Sequence, residues 1–181
     1  MSDALIEREE EVDLVLTALI AKEHPLLIGA PGTGKSLLLD SIMRWMQASK
    51  FDALLMKFTT PEEILGPISV KGLTQDQYRR ITTNMLPEAE AAFMDEIFKA
   101  SSAILNTLLK LLNERTFVNG GVKTKTPLRI CVSASNEWPQ EQQELAALFD
   151  RFLLRKRVKT ITSNSGRKAL LKKAITNDNC Q

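Results

Sequence analysis

A glycine-rich octapeptide near the N-terminus has residue types suited to holding a phosphate group. It matches the pattern G-x-x-x-x-G-K-[ST] at every position and reads Gly29-Ala30-Pro31-Gly32-Thr33-Gly34-Lys35-Ser36. Glycines let the main chain fold closely around phosphate oxygens, and successive amide N–H groups can then point at the anion. Lys35 would place a cation on the β- and γ-phosphates, and Ser36 would offer its hydroxyl to Mg²⁺.

The residues expected to contact a nucleotide are this loop and the residue that follows it. They are Gly29, Ala30, Pro31, Gly32, Thr33, Gly34, Lys35, Ser36 and Leu37. A glycine-rich turn without a ligand is the alternative. It is disfavoured because the motif follows a strand pattern and precedes a helix pattern, as a phosphate loop does.

Two adjacent carboxylates, Asp95 and Glu96, follow the apolar run 91–94. A phosphate loop needs a second group for the metal at the end of a neighbouring strand, and Asp95 has that place. We expect Ser36 and Asp95 to hold Mg²⁺, with Asp95 acting through bound water, and Glu96 to be the general base that polarises the attacking water. The pair favours ATP hydrolysis over a slow nucleotide switch.

Two further polar residues are candidates for the catalytic step. Asn136 follows the strand run 130–134 by two residues, where its amide could contact the γ-phosphate or position the water; a plain turn residue is the alternative. Arg151 lies between a helix pattern and the last strand pattern. An arginine on the γ-phosphate accelerates phosphoryl transfer about 10³–10⁵-fold, and in such a fold Arg151 would reach only a neighbour's nucleotide. An ion pair with Asp150 is the alternative, and Arg155 could share the role.

Apolar runs and helical patterns alternate along the chain, which indicates a parallel sheet covered by helices on both faces. The predicted strands are 25–29, 54–58, 91–94, 128–134 and 152–158, and the predicted helices include 9–21, 35–46 and 103–114. In the second of these helices we expect four residues to face inward, namely Leu37, Leu38, Ile42 and Trp45.

Two stretches, 68–82 and 116–127, interrupt this alternation. The first contains Lys71-Gly72 as a possible turn, and the second contains Asn119-Gly120-Gly121, a strong hairpin signal. We therefore expect two hairpin inserts that project from an αβα core, with surface loops as the alternative.

The composition excludes several classes of protein. The chain has 181 residues and a formal net charge of +2, and 44% of its residues are hydrophobic, as in soluble globular domains. No apolar run approaches the roughly 20 residues of a membrane span, and no signal-peptide pattern is present. Two cysteines, Cys131 and Cys180, and one histidine, His24, argue against a disulfide framework or a zinc site. We expect a cytoplasmic protein.

The charge is unevenly distributed along the chain. Residues 151–181 contain nine basic residues and one acidic residue, which raises nucleic-acid binding as an alternative function. The whole chain has one Tyr and two Trp, and basic residues do not alternate with aromatic ones as in base-stacking surfaces. We therefore expect no nucleic-acid partner.

Together these residues resemble the AAA+ ATPases and, within them, the MoxR family, most closely its RavA branch. The resemblance runs from about residue 5 to about residue 160. Besides the phosphate loop, it rests on segments that occur in the same order: Thr60-Pro61-Glu62-Glu63, Gly66-Pro67, Leu86-Pro87-Glu88-Ala89-Glu90, 94–100, 103–109, Asn113-Glu114-Arg115, Ser135-Asn136-Glu137 and Asp150-Arg151.

The resemblance implies a RecA-like P-loop αβα sandwich whose five-stranded parallel sheet has the order 5-1-4-3-2. Residues 1–160 would form the nucleotide-binding core, with the insert of helix 2 at 68–82 and the hairpin before sensor 1 at 116–127. It also implies a role for each site residue: Lys35 and Ser36 as the Walker A pair, Asp95 and Glu96 as the Walker B pair, Asn136 as sensor 1 and Arg151 as the arginine finger.

The resemblance further implies an ATPase that binds ATP and Mg²⁺ between the subunits of a ring, commonly a hexamer. They act as chaperone-like enzymes that remodel or activate client proteins, often with a companion that carries a von Willebrand factor A (vWA) domain. The sequence departs from this pattern at residues 161–181, which offer only the start of a truncated lid or a basic tail, without an alignable sensor 2 arginine. The alternative is a lid-less nucleotide-binding adaptor, or a fragment, with little ATPase activity.

Overall fold

A five-stranded parallel sheet forms the centre of the fold. The structure is a computed structural model and describes residues 5–138 and 149–178, with the side-chain surroundings of those up to residue 172. The strands are β1 (Pro25–Ile28), β2 (Lys50–Leu54), β3 (Ala91–Asp95), β4 (Thr116–Asn119), β5 (Val122–Lys125), β6 (Ile130–Ser135) and β7 (Leu154–Arg157). The sheet has the order β2-β3-β6-β1-β7, and β4 and β5 form a separate antiparallel pair. When the five strands of the sheet alone are numbered, this is the expected order 5-1-4-3-2 read from the opposite edge.

Helices cover both faces of this sheet. They are α1 (Glu9–Ala21), α2 (Lys35–Met46), α3 (Pro61–Leu65), α4 (Val70–Leu73), α5 (Ser102–Glu114) and α6 (Asn164–Asp178), with 3₁₀ turns at Leu86–Glu88 and Ile97–Lys99. Successive residues of a strand point to opposite faces, so Leu26 and Ile28 pack with α3 and α5, whereas Leu27 packs with α1 and α2. These two cores confirm the α/β class and the αβα layers.

The predicted second strand was placed four residues too late. The strand β2 lies at the edge of the sheet and pairs only with β3, so it needs only one apolar face. Phe51 is buried, while Lys50 and Asp52 form an ion pair at 2.6 Å on its rim. Charged residues on an edge strand oppose pairing with another chain, and they hid this strand from a search for apolar runs.

The predicted bounds of α2 are correct, but its inward face is partly wrong. Leu38 and Ile42 are buried as expected, whereas Leu37 and Trp45 are 66% and 65% exposed. The buried face includes Leu39 and Met43 instead. Apolar residues surround most of this helix, so the pattern alone does not select the face, and packing against the sheet decides it.

The two predicted hairpin inserts have different outcomes. The strands β4 and β5 form the expected hairpin, with Gly120 and Gly121 at φ +59° and +80° in its turn. The prediction of a hairpin at 68–82 is wrong, because this stretch contains α4 and only one isolated bridge, between Ile68 and Arg80. The Ser69 hydroxyl accepts a hydrogen bond from Gly72 N at 3.1 Å, which starts a helical turn in place of a strand pair.

The side chain of Asn119 joins the two inserts. Its Oδ1 accepts a hydrogen bond from Arg80 N at 2.7 Å, and its Nδ2 donates to Arg80 O at 3.0 Å. The amide thereby satisfies both main-chain groups of one residue, as a strand partner would. The insert at 68–82 is therefore held against the hairpin rather than projecting alone.

Neither a membrane helix nor a reactive thiol is found in the part of the chain that the structure describes. No helix there is both long and apolar enough to cross a bilayer. Cys131 is buried in β6 without a disulfide, and burial raises the pKa of its thiol to about 12, so it is unreactive at neutral pH. Cys180 lies outside the described residues.

Replacement of Gly29 by Ala should destabilise the protein, because a Cβ there would collide with the main-chain oxygen of Val158. We expect the free energy of unfolding to fall by about 1–3 kcal/mol, the usual cost of overpacking, as measured by urea denaturation. A Gly29→Ala variant as stable as the parent would contradict the close approach of Val158, the residue after β7, to the loop.

Candidate nucleotide-binding site

The phosphate loop connects the carboxyl end of β1 to the first turn of α2. Gly29 N donates to Ser135 O at 2.9 Å, which fixes the start of the loop against β6. Gly32 and Gly34 have φ values of +75° and +78°, the left-handed conformation that glycine adopts without a steric penalty. The Thr33 hydroxyl donates to Ala30 O at 2.9 Å across the loop. The loop therefore has the tight turn that an anion nest requires.

The nine residues predicted to contact the nucleotide lie together in this loop and the first turn of α2. Thr33 and Lys35 are buried, and Gly29 and Gly34 are partly buried. The others are exposed, namely Ala30, Pro31, Gly32, Ser36 and Leu37. Their individual contacts with a nucleotide stay predictions.

Lys35 lies folded over the loop. Its Nζ donates to Gly29 O at 2.8 Å and to Ala30 O at 3.2 Å. Burial lowers the pKa of this amine, and the negative charges of Asp95 and Glu96 oppose that effect. Lys35 and both predicted acids are thus close enough to interact. The hydrogen bonds that Lys35 donates to main-chain oxygens are those that phosphate oxygens would accept.

The acid pair lies at the end of β3, as predicted. Asp95 is the last strand residue, and its Oδ1 accepts a hydrogen bond from Glu96 N at 3.0 Å. Glu96 has a φ of +54°, an uncommon conformation for a residue with a side chain and one that concentrates at functional sites. Its Oε2 is buried without a hydrogen-bond donor among the described residues, although Lys99 Nζ lies 3.4 Å away. The ion pair with Lys99 offsets part of the cost of burying this oxygen, which still has capacity to accept a hydrogen bond.

Asn136 lies between the phosphate loop and the acid pair. It follows the last residue of β6, and β6 lies between β3 and β1 in the sheet. Neighbouring strands are about 4.8 Å apart, so the ends of these three strands form one continuous site. Asn136 Oδ1 is also buried without a hydrogen-bond partner in the described part of the chain. Two orphaned oxygens therefore lie on the same edge beside the loop.

Ser36 and Asp95, the predicted metal ligands, line one cavity of about 240 Å³. Among the described residues no three carboxylate, histidine or cysteine side chains cluster as a closed metal site would need. This fits Mg²⁺, which usually takes one or two protein oxygens and completes its shell with water and phosphate. The donor set thus suits the metal that the loop implies.

Arg151 lies near the amino end of β1, whereas its own phosphate loop follows the carboxyl end of that strand. It is exposed, and Leu154, three residues later, pairs with Pro25 at the start of β1. Burial lowers the pKa of His24 to about 4, a hydrogen bond to Leu112 O opposes this, and the charges of Arg115 and Arg151 lower it further. Arg151 is therefore near His24, and the four residues of β1, about 13 Å of strand, separate it from the loop.

The neighbouring Arg155 has a different environment. Its guanidinium lies 3.9 Å from the centroid of the Phe149 ring, and its Nε donates to Phe152 O. These contacts occupy Arg155 within its own chain and disfavour the shared finger role considered for it. No ion pair joins Arg151 to Asp150 among the described residues, so the plain ion-pair interpretation of Arg151 is not supported.

Comparison of the sequence with protein families identifies its relatives. The profile of the bpMoxR family, described as the MoxR domain in the MoxR–vWA–β-propeller ternary systems, matches residues 1–179. The chain belongs to the bpMoxR family. The expectation of a MoxR-type AAA+ core is confirmed, and the finer assignment to the RavA branch stays a prediction.

Curated relatives of this bpMoxR chain include two uncharacterized proteins of Methanocaldococcus jannaschii. Each is 46% identical over 164 residues, which are 90% of this chain and 43% or 44% of the relative. A structural protein of Acidianus two-tailed virus is 29% identical over 160 residues, 86% of this chain and 26% of that protein. The bpMoxR chain thus spans less than half the length of the relatives it matches.

Solved structures confirm the fold of the bpMoxR chain. A candidate ATPase from Cytophaga hutchinsonii superposes with a TM-score of 0.73 at 15% identity, over 94% of this chain and 51% of that one. A chain of the BchI–BchD complex of magnesium chelatase gives 0.69 at 14% identity, over 94% and 64%. The Hsp104–ADP complex of Saccharomyces cerevisiae gives 0.64 at 12% identity, over 97% and 37%.

Sequence reasoning missed two residues beside the phosphate loop, Glu7 and Arg8. Arg8 is 7% exposed and donates to Thr33 O, and Glu7 accepts a hydrogen bond from Thr162 N. Neither residue belongs to a motif, and their partners are 25 and 155 residues away in sequence. Apart from the acid-rich start of the chain, no local signal in the bpMoxR sequence points to them.

Proposed function

We propose that this chain is the nucleotide-binding core of an ATPase that binds Mg²⁺–ATP at the loop 29–36 and hydrolyses it. The observation that carries the proposal is the pair of buried, unsatisfied oxygens on Glu96 and Asn136 beside that loop. A water molecule held between them and the γ-phosphate would give both groups a partner. The MoxR-type AAA+ relationship supports the same class of activity.

Each residue of the site has a role in this proposal. The amides of the loop bind the phosphates, and Lys35 exchanges its main-chain partners for the β- and γ-phosphate oxygens. Ser36 and Asp95 would hold Mg²⁺, which when bound neutralises charge on those phosphates. Glu96 accepts a proton from the attacking water and Asn136 orients that water.

We further propose that the active form is a ring, as a hexamer, with Arg151 of one subunit acting on the nucleotide of the next. Support comes from its exposed position at the edge of the sheet remote from its own loop. The family name connects the MoxR domain with vWA and β-propeller proteins, which we propose as companions in chaperone-like remodelling of a client protein. We expect no nucleic-acid partner, and we propose a cytoplasmic location.

We propose residues 1–160 as the α/β core and residues 161–181 as the start of a lid or a basic tail. The helix α6 continues the chain after the last strand, where a lid would begin. The alternative function is a nucleotide-binding adaptor, or a fragment, with little turnover of its own. The chain covers less than half the length of these relatives, so we propose full turnover only for a protein of the relatives' length.

Binding of a fluorescent ATP analogue with Mg²⁺ tests the proposed function. We expect saturable binding by the parent, and at least about a tenfold weaker affinity in Lys35→Ala, because charge-assisted hydrogen bonds to phosphate are lost. Lys168→Ala, on the exposed side of α6, is the matched control and should bind like the parent. Equal affinity in Lys35→Ala and the parent, or no binding by the parent, would contradict the proposal.

A further inference from the structure

Arg8 is a buried arginine whose guanidinium donates to main-chain oxygens from three parts of the chain. Nε and Nη2 donate to Thr33 O at 3.2 and 2.8 Å. Nη2 also donates to Lys159 O at 2.9 Å, and Nη1 donates to Glu7 O at 2.8 Å. Arginine keeps its charge when buried. A fixed positive charge therefore lies directly behind the phosphate loop.

The hydrogen bond to Thr33 O sets the direction of an amide in the loop. In a planar trans peptide, the carbonyl of one residue and the N–H of the next point in opposite directions. Because Arg8 holds the Thr33 carbonyl outward, the Gly34 N–H points away from Arg8. Gly34 has a φ of +78°, so only glycine holds this orientation without strain.

The Glu7 carboxylate binds the segment that precedes α6. Its Oε2 accepts a hydrogen bond from Thr162 N at 3.2 Å, and its Oε1 accepts one from the Ser163 hydroxyl. The same hydroxyl accepts a hydrogen bond from Gly166 N at 2.9 Å, in the first turn of α6. Glu7 has a φ of +55°, an uncommon backbone conformation for a residue with a side chain.

Gly166 shows that this contact is close. The residue is buried, and a Cβ there would collide with Glu7 Oε1. The carboxylate therefore packs directly on the main chain of α6. Glu7 thus contacts the start of α6, while Arg8, the next residue, contacts the phosphate loop.

We propose that Glu7 and Arg8 position the phosphate loop for nucleotide binding and connect that loop mechanically to the start of α6. The proposal rests on the proposed function, since its ligand is the nucleotide phosphate. A phosphate that orders the loop also fixes the Thr33 carbonyl, and Arg8 and Glu7 transmit this restraint to residues 159–166. Both are positioning residues, because neither needs to touch the nucleotide.

The variant Arg8→Lys tests the positioning role, because lysine keeps the charge but lacks the planar fork. In titrations with ADP and with a nonhydrolysable ATP analogue, we expect at least about a tenfold loss of affinity in Arg8→Lys, since several charge-assisted bonds are lost. Lys156→Gln is the matched control, because Lys156 lines the same cavity as Arg8 but its ion pair is with Glu10 and not with the loop or α6. Parent-like affinity in Arg8→Lys would overturn the positioning role.

Amide hydrogen exchange tests the connection, first without nucleotide. We expect Arg8→Lys to speed exchange in residues 31–36 and 160–167 together, while Lys156→Gln leaves both unchanged. A change confined to one of the two segments, or spread over the whole chain, would overturn the connection. This result stands even if the parent binds no nucleotide, an outcome that would refute only the proposed function.

The second exchange measurement uses nucleotide at saturating concentration. In the parent, bound ADP should slow exchange in residues 160–167 as well as in the loop. In Glu7→Ala, which removes both carboxylate hydrogen bonds, we expect the slowing at 162–167 to be lost while the slowing in the loop remains, because Arg8 still donates to Thr33 O. Persistence of slowing at 162–167 in Glu7→Ala would show that α6 responds by another route and would overturn the role of Glu7.

Discussion

In the Glu96→Gln variant, ATP should still bind while its turnover falls by about 10²–10⁴-fold, the usual contribution of a general base. Glutamine has the same shape and can take the same left-handed backbone position, but it cannot accept a proton from water. Its amide would retain polar contacts at the site where Glu96 Oε2 pairs with Lys99 but accepts no hydrogen bond from the described residues. Binding and chemistry are therefore expected to separate in this variant.

Phosphate release under saturating Mg²⁺–ATP, together with analogue binding, measures the two quantities. Glu137→Gln is the matched control, because Glu137 is an exposed carboxylate near the end of β6 that contacts Ser135 through its main chain only. We expect parent-like turnover in that control. Equal turnover in Glu96→Gln and the parent would remove Glu96 as the base.

Replacement of Arg151 by Ala should reduce turnover by about 10³–10⁵-fold in the assembled protein and leave nucleotide affinity nearly unchanged. Its own loop is at the far end of β1, so Arg151 would act on charge that develops at the γ-phosphate of a neighbour. The control is Arg129→Ala, an exposed arginine immediately before β6, also at the amino edge of the sheet. That variant should keep its turnover.

Mixing Arg151→Ala with Glu96→Gln subunits distinguishes a finger that acts between subunits from one that acts within a chain. An interface that combines Glu96 from the first variant with Arg151 from the second is complete, so the mixture should regain activity that neither variant has. Activity that stays at the level of the single variants at every mixing ratio would refute action between subunits.

Sequence patterns predicted the positions of helices and strands more accurately than they predicted which helix face is buried or which residues are in contact. The bounds of α1 and α2 agree with the helical periodicity, and the motif at 29–36 falls between a strand and a helix as expected. The edge strand β2 was misplaced because its charged residues break the apolar run. The stretch 68–82 was wrongly assigned as a hairpin, since a side-chain hydrogen bond from Gly72 N to Ser69 favours a helical turn.

The sequence by itself located the candidate site: a glycine-rich loop with its lysine and serine, and acidic and amide residues placed after apolar strands. These signals are local, because a phosphate nest, a strand and its end are each formed by a few consecutive residues. The family resemblance implied the strand order that puts Asn136 between the loop and the acid pair, and the structure has that order. Only the tertiary structure brought Arg8 to Thr33 and Lys159, residues 25 and 151 positions away. Such contacts arise when separate elements pack together, and no short stretch of sequence encodes them.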